Sequence, residues 1–453
     1  MSEHTLEQPA NPTQANLFAR INALFRHYPD AVAVMLLIAL WLLFFWRLFT
    51  PVPTDQVSIV EGDFNRQFIT FGAYQFERFT AGEIPLWNPY NNGGLPFIAD
   101  TQAAVFYPPR LLTIALTDLI SGEWTYNALQ IEMAAHVLLF TLLMYALLRR
   151  LTHGKSATHF AAFAAATIAG YSGFITGYPP LQLALLEAAI WLPLALIGIV
   201  EATRTDHLRW RWLALAGFGL GLSWMAGHPQ TSWFATYALV AYLAWRCYAQ
   251  HYRLWQFILG TALVGLITLG VSAVQLIPSA EYLGYTMRQG LTFDEKSGGF
   301  PPQDVMQFII PGSVSLFSPL YVGIFGLMLA GIATVGEHKD RLFFAGLALF
   351  ALIFSLGGNS SLFHAAYTLM PGAEAFRGQE RAAYLVMTSL AILAGLGVTT
   401  LASQLSADRQ RLINRGLIVF ALAVIALAGG IFVAWLGDRP AYANTISPAA
   451  FSA

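Results

Sequence analysis

The chain has 453 residues, of which 56% are hydrophobic and only 11% charged, with a formal net charge of -1 and one cysteine. Soluble domains carry about 25% charged residues, so a chain of this size and composition cannot cover a globule with polar surface, and a polytopic membrane protein follows. The charge gives no case for nucleic acid, and the lone Cys247, in an apolar run, excludes internal disulfides, CxxC metal sites and iron-sulfur ligation and reads as an inert packed thiol.

In chain order, residues 1–16 are polar and too poor in apolar side chains to fold. Arg20, Arg26 and His27 precede an apolar run over 31–49, enough to cross roughly 30 Å of hydrocarbon, with no small-residue cleavage site of the signal-peptide kind. Further spans are predicted near 124–148, 157–177, 181–203, 210–226, 230–249, 255–277, 318–336, 341–357, 382–403 and 415–436, about eleven with the first. With the N-terminus cytoplasmic, the inner loops collect Arg20, Arg26, Arg149, Arg150, Lys155, Arg204, Arg209, Arg211, Arg246, Arg253, Lys339, Arg341, Arg409, Arg411 and Arg415 out of 24 Lys and Arg. That bias sets the orientation by the positive-inside rule. The expected organisation is a cytoplasmic tail over 1–30, an all-α transmembrane body over 31–436 and an extracytoplasmic tail over 437–453. Three long outer segments interrupt the body, at 51–123, 278–317 and 358–381, and place the functional surface outside. No internal repeat of the transporter kind is visible.

The first outer segment is the densest in polar chemistry. Asp63 lies in Glu-Gly-Asp-Phe-Asn-Arg-Gln and Asp100 in Ala-Asp-Thr-Gln. A carboxylate held at a membrane face beside an Arg or an amide can take a proton from a substrate hydroxyl; two of them allow a base plus an orienting group or a cation ligand. Acids in outer loops are also commonly just solvated. Over 64–79, Phe68, Phe71, Tyr74, Gln75 and Arg78 recur at helical spacing, which predicts an amphipathic helix lying in the interface with its apolar face down. Trp87, Tyr90, Phe106 and Tyr107 suit headgroup-level anchors, whether or not they also meet substrate, and Gly93 and Gly94 suit a turn with positive φ.

Gln130, Glu132, His136, Gln182 and Glu187 cluster near the outer ends of their spans, and His228-Pro-Gln230 forms an outer turn. Ionisable groups at that depth are functional candidates by default, yet a bond that pins two helices has the same sequence signature. For Glu132, His136 and Glu187 the pinning role is weighed ahead. In the later outer segments Arg288, Lys296, Arg377 and Arg381 are cations close to helix ends, which suits a lipid-linked phosphate, since Arg can grip two of its oxygens; Arg377 and Arg381 are equally well placed to pair with Glu374 or Glu380, or to snorkel.

The order of short motifs resembles the YfhO-like bacterial membrane proteins of the GT-C class of integral-membrane glycosyltransferases. The matching pieces are Gly-Asp before an amphipathic helix, Gly82-Glu-Ile-Pro-Leu-Trp-Asn-Pro-Tyr with Gly93-Gly-Leu-Pro, Gln102, and Phe106-Tyr-Pro-Pro. Downstream come Trp191-Leu-Pro-Leu, Ala226-Gly-His-Pro-Gln, Ala273-Val-Gln-Leu-Ile-Pro through Arg288, Phe300-Pro-Pro, Tyr321-Val-Gly, and Pro371-Gly through Arg377 and Arg381. The resemblance implies a GT-C-like fold and an essential acid in the long first extracytoplasmic loop, to which Asp63 corresponds by position. It implies a polyprenyl-phosphate sugar as donor and a cell-envelope glycopolymer, lipid or protein as acceptor, used on the outer face of a bacterial inner membrane. On that reading Asp63 and Asp100 are catalytic. Arg66, Gln67, Trp87, Asn88, Tyr90, Gln102, His228, Gln230, Arg288, Arg377 and Arg381 bind substrate. A divalent cation, Mg or Mn, bridging Asp63 and Asp100 is compatible but not required. Many family members continue beyond the point where this chain stops, so a truncated form is expected. The competing readings are a flippase or carrier for an envelope precursor, whose ionisable residues would sit deeper in the spans, and a non-catalytic partner in envelope assembly.

Overall fold

A chain of Leu, Ile, Val, Ala and Phe that must satisfy its backbone without water can do so only by closing hydrogen bonds within each segment, and helix is the outcome. A computed structural model describes residues 27–91, 93–286, 291–312, 315 and 317–437. Most of the expected tails and Arg288 lie outside the described residues. Among those described there is no β-strand, only an isolated antiparallel bridge between Asn88 and Leu95.

The α-helices longer than four residues, in order, are α1 (Pro29–Phe44), α2 (Ile69–Thr80), α3 (Pro108–Ser121), α4 (Tyr126–Leu151), α5 (Thr158–Gly170), α6 (Leu183–Ala189), α7 (Leu192–Ala202) and α8 (Trp210–Met225). They continue with α9 (Pro229–Ala249), α10 (Leu254–Leu283), α11 (Ile324–Val335), α12 (Arg341–Ser355), α13 (Ser361–Leu369), α14 (Ala383–Leu401) and α15 (Ala407–Gly437). Among the described residues five helical stretches are long and apolar enough to cross a membrane, and α1, α11 and α12 are shorter apolar helices. The fourth expected span divides at Ile190 and Trp191, because Pro193 has no N–H to continue the ladder and instead occupies the first turn of α7. The last begins earlier than expected, at Ala407.

Apolar segments sort by how much of them the protein covers. The spans Leu183–Ala202 and Gln379–Leu401 are 94% buried, whereas Leu254–Leu283 is 22% and Ala407–Gly430 6% buried. The first pair therefore forms the centre, with α14 packed against α5, α11 and α12 and α7 against α4 and α8, and the second pair presents apolar surface outward. At the end where α1 begins, Arg149 binds Asp30 and Arg246 binds Asp340, tying helix ends together.

The opposite end carries the long first loop, which folds on its own small core. A π-helical turn, Phe64–Phe68, leads into α2. The apolar face of α2 differs from the expectation of a face turned to lipid: Phe71 and Tyr74 bury against Leu95, Phe97, Ala103 and Val105 of the same loop. The edge-on ring pairs Phe71–Phe97 at 5.0 Å and Tyr74–Phe97 at 5.2 Å hold that face against the loop, in the arrangement aromatic rings prefer. Gly93 and Gly94 take φ of 78° and 110° beyond the bridge, and the Trp87 ring lies where a Cβ on Gly94 would fall. The loop closes with α3, a helix the sequence reading did not anticipate, with Pro108 and Pro109 in its first turn and Gly122 in the left-handed region at its end.

Candidate functional site

Asp63 owes its position to the aromatics that follow it. Phe64 and Phe68 are buried in the main core, and the strand of chain entering the turn is held by α4, with Gln130 Oε1 accepting from the Ile59 N–H at 2.8 Å and Tyr126 donating to the Ile59 carbonyl. The half-buried carboxylate thereby stands at the rim of the bundle, where Gln182 Nε2 donates to it at 3.4 Å.

Three chambers meet here. The largest, about 820 Å³, is lined by Asp63, Gln67, Gln102, His228, Gln230, Arg377 and Arg381, together with the apolar side chains of Leu276, Leu283, Leu291 and Phe376. Seven residues singled out from four separate stretches of sequence thus face one space. A second chamber, about 560 Å³, shares Asp63 and Gln67 and adds Arg66, Asn88 and Tyr90. A third, about 300 Å³, shares Gln67 and Gln102 and adds Asp100. Trp87 and Tyr90 are 54% and 80% exposed, so both rings are presented to solvent.

Each wall is held by a specific bond. Gln67 Nε2 donates to Gln102 Oε1 at 2.9 Å, and the Gln102 N–H donates to Asp100 Oδ1 at 2.9 Å, so Asp100 caps its own turn. On α10, Gln275 Nε2 reaches the Ile98 carbonyl at 3.1 Å and fixes that turn to the bundle. Gly227, at φ 90°, lies where a Cβ would stand 2.6 Å from the Thr101 carbonyl, so only glycine lets the His228 turn approach the first loop this closely. His228 Nδ1 accepts from the Thr231 N–H at 3.2 Å. Arg381 donates through Nη1 to Gln230 Oε1 at 2.8 Å and to the Arg377 carbonyl at 3.0 Å, while its Nε is buried with no partner. Among the described residues no ion pair joins Arg377 or Arg381 to Glu374 or Glu380, the pairing that the sequence had left open.

The donor set expected for a bridging cation is divided. Asp63 faces the first and second chambers and Asp100 the third, where its carboxylate caps the turn.

Behind the chambers lies a group that the sequence reading found only in part. Arg110 of α3 is buried, its Nε donating to both oxygens of Glu132 at 2.8 and 2.9 Å and its Nη2 to Glu187 at 3.1 Å. Trp191 Nε1 donates to the Tyr107 hydroxyl at 2.9 Å, and that hydroxyl lies 2.9 Å from His136 Nε2. His136 Nδ1 faces the Glu132 carbonyl at 2.7 Å, so Nδ1 carries the proton and Nε2 accepts from Tyr107. Burial, reinforced by the Glu187 carboxylate, pushes the Tyr107 phenol well above its ordinary value and keeps it a donor. Donor atoms of Glu132, His136 and Glu187 lie within 4.8 Å of one another, a spacing a metal could use. The guanidinium is bonded to both carboxylates and both imidazole nitrogens are engaged, so the group is an ionic clasp joining α3, α4 and α6. The signal for Arg110 was a lone charge in the first turn of a Pro-Pro helix, adjacent to motifs read only for their aromatics.

No protein-family model matches the sequence, and no curated protein matches it. Among solved structures the chain is similar to ArnT from Cupriavidus metallidurans, determined bound to undecaprenyl phosphate, with a TM-score of 0.51 and 16% sequence identity. The similarity covers 86% of this chain and 63% of that one, so this chain spans less than two thirds of the ArnT structure. This helical membrane protein therefore shares the fold of ArnT over most of its length.

Proposed function

We propose that this chain is a membrane glycosyltransferase of the YfhO-like branch, moving a sugar from a polyprenyl-phosphate donor to a cell-envelope acceptor on the extracytoplasmic face of a bacterial inner membrane. The observation that carries the reading is that one cavity is lined both by a carboxylate, Asp63, and by two guanidiniums, Arg377 and Arg381. A base and an anion cradle in one chamber are what transfer from a lipid phosphate requires. The undecaprenyl phosphate in the ArnT structure adds support for a donor of that class.

In this scheme the lipid phosphate rests against Arg377 and Arg381, with the buried Nε of Arg381 gaining the partner it lacks, and the first isoprenes lie on Leu276, Leu283 and Phe376. The bond between sugar C1 and the phosphate oxygen breaks, its electron pair goes to the phosphate, and the guanidiniums stabilise the charge that develops there. The acceptor oxygen attacks C1 from the opposite face through an oxocarbenium-like state, giving inversion, while Asp63 takes the acceptor's proton. Gln182 orients the carboxylate. Gln67, Gln102, His228 and Gln230 offer hydrogen bonds to sugar hydroxyls, and Arg66, Asn88, Trp87 and Tyr90 line or flank the acceptor's approach. Asp100 shapes the adjoining wall.

The test is transfer itself. Purified protein is given a radiolabelled polyprenyl-phosphate sugar and envelope acceptors, and the label is expected to move to the acceptor. Absence of transfer across a panel of donors sinks this reading and favours the carrier or assembly-partner alternatives.

A further inference from the structure

Among the described residues, the end of the bundle away from the chambers gathers more positive charge than it pairs. Glu201, in the last turn of α7, is 8% exposed and receives three guanidiniums: Arg204 Nη2 at 2.6 Å, Arg209 Nη1 at 3.5 Å and, from the end of α4, Arg150 Nε at 3.6 Å. Arg209 and Arg211, at the start of α8, extend the cluster, with guanidinium carbons 5.5 and 5.9 Å from the centre of the Trp212 ring. The other acid of this loop, Asp206, bonds His207 with its side chain 95% exposed, and the adjacent Arg149 is paired with Asp30. Further bonds run from the arginines to the carbonyls of Ala146, Arg150 and Glu201 at the ends of α4 and α7. Those oxygens carry partial charge only. Arg150 Nη2, Arg204 Nη1 and Arg209 Nη2 have no partner among the described residues, and the Arg150 and Arg204 side chains keep 38% and 31% of their surface open.

An apolar track leads away from this cluster. Both α4 and α8 pack on the central α7, and together they border a groove of about 790 Å³ lined by Leu139, Phe218 and Leu222. In helical steps of three or four residues, Leu139 is followed by Leu143, Ala146 and Arg150 on one face of α4, and Leu222 is preceded by Phe218, Leu215 and Arg211 on one face of α8. At 1.5 Å per residue, Arg150 stands about 16 Å along the axis from Leu139, which is the depth of one leaflet of a roughly 30 Å hydrocarbon core. A cationic end and an apolar track one leaflet long match the two halves of a phospholipid.

We propose that Arg150, Arg204, Arg209 and Arg211 bind the phosphate of one anionic phospholipid from the leaflet at this end, with an acyl chain lying between α4 and α8. Guanidiniums grip phosphate oxygens in pairs, and four of them face the single carboxylate of Glu201. A zwitterionic lipid offers the same phosphate but brings its own cation, so the net charge of the lipid decides occupancy. The site is remote from the chambers and does not depend on the reaction proposed for them.

The experiment uses the full chain, delipidated in a neutral detergent and titrated with phosphatidylglycerol, phosphatidylcholine or soluble glycerol 3-phosphate, with bound lipid counted by native mass spectrometry. One phosphatidylglycerol per chain is expected, held at least tenfold more tightly than phosphatidylcholine and not displaced by equimolar glycerol 3-phosphate, which has the phosphate without the chains. Arg150→Gln and Arg204→Gln each weaken phosphatidylglycerol about fivefold and leave phosphatidylcholine unchanged, a split that a merely structural role would not produce. Arg211 has no ion pair among the described residues, so Arg211→Gln leaves thermal unfolding unchanged and weakens phosphatidylglycerol in the same way. Arg411→Gln, on α15 and paired with Asp408, has no effect. Overturning results are equal retention of the two lipids, displacement by glycerol 3-phosphate, Arg211→Gln binding as wild type, or Arg411→Gln weakening binding as much as the cluster variants.

Discussion

Asp63 and the two guanidiniums define what single residues contribute. Arg381 is already oriented by Gln230 and the Arg377 carbonyl, so losing it removes a prepared charge rather than a mobile one. Charge-assisted hydrogen bonds contribute about 1.5–3 kcal/mol; Arg381→Ala is therefore expected to raise the KM for a polyprenyl-phosphate donor roughly 10- to 100-fold. Arg381→Lys is expected to recover only part of that, since a point charge cannot grip two oxygens, and titrating donor in a transfer assay checks both. These charges were visible in the sequence because they stand in outer segments of an otherwise charge-poor chain. Their convergence was not, because nothing local records that the stretch after α1 and the stretch before α14 line the same cavity. Arg110 was missed for a related reason: its meaning lies in Glu132 and Glu187, on other helices.

At the scale of elements, the first loop is held by two devices of different kinds. One is the ionic clasp. Removing one partner of a buried ion pair leaves an uncompensated charge and costs about 3–5 kcal/mol, so Arg110→Ala is expected to lower the unfolding temperature and expose α3 to protease. Either a wild-type melting curve or an unchanged digestion pattern would reduce the clasp to a bystander. The other is steric. Gly227→Ala puts a Cβ against the Thr101 carbonyl in a backbone region that L side chains avoid, at about 1–3 kcal/mol of strain. It is expected to lower transfer while leaving the bundle folded, a split that activity and circular dichroism together measure. Helical periodicity was enough to place α2, but the direction of its apolar face depended on Phe97 and Val105, which lie beyond the helix in the chain. Periodicity states that a face will be buried and is silent about what buries it.

For the molecule as a whole, composition announced a membrane protein, and hydropathy located the apolar segments that are helical here. It could not grade them, since the mean hydropathy of the span containing the buried α14, 1.8, is close to the 2.1 of the exposed α15, and packing separates them. The proposed orientation has its own test, made simple by the single cysteine, Cys247, which is buried. In a Cys247→Ala background, an impermeant maleimide is expected to label Tyr90→Cys in intact cells and His207→Cys only after permeabilisation; the reverse pattern would invert the topology. The central claim is that Asp63 acts as the base on a donor held by the far wall of its own chamber. Its most direct measurement compares wild type with Asp63→Asn for donor binding and for transfer in the same preparation. The account predicts unchanged donor affinity with transfer reduced by about 10²- to 10⁴-fold, and equal turnover by the two proteins would contradict it.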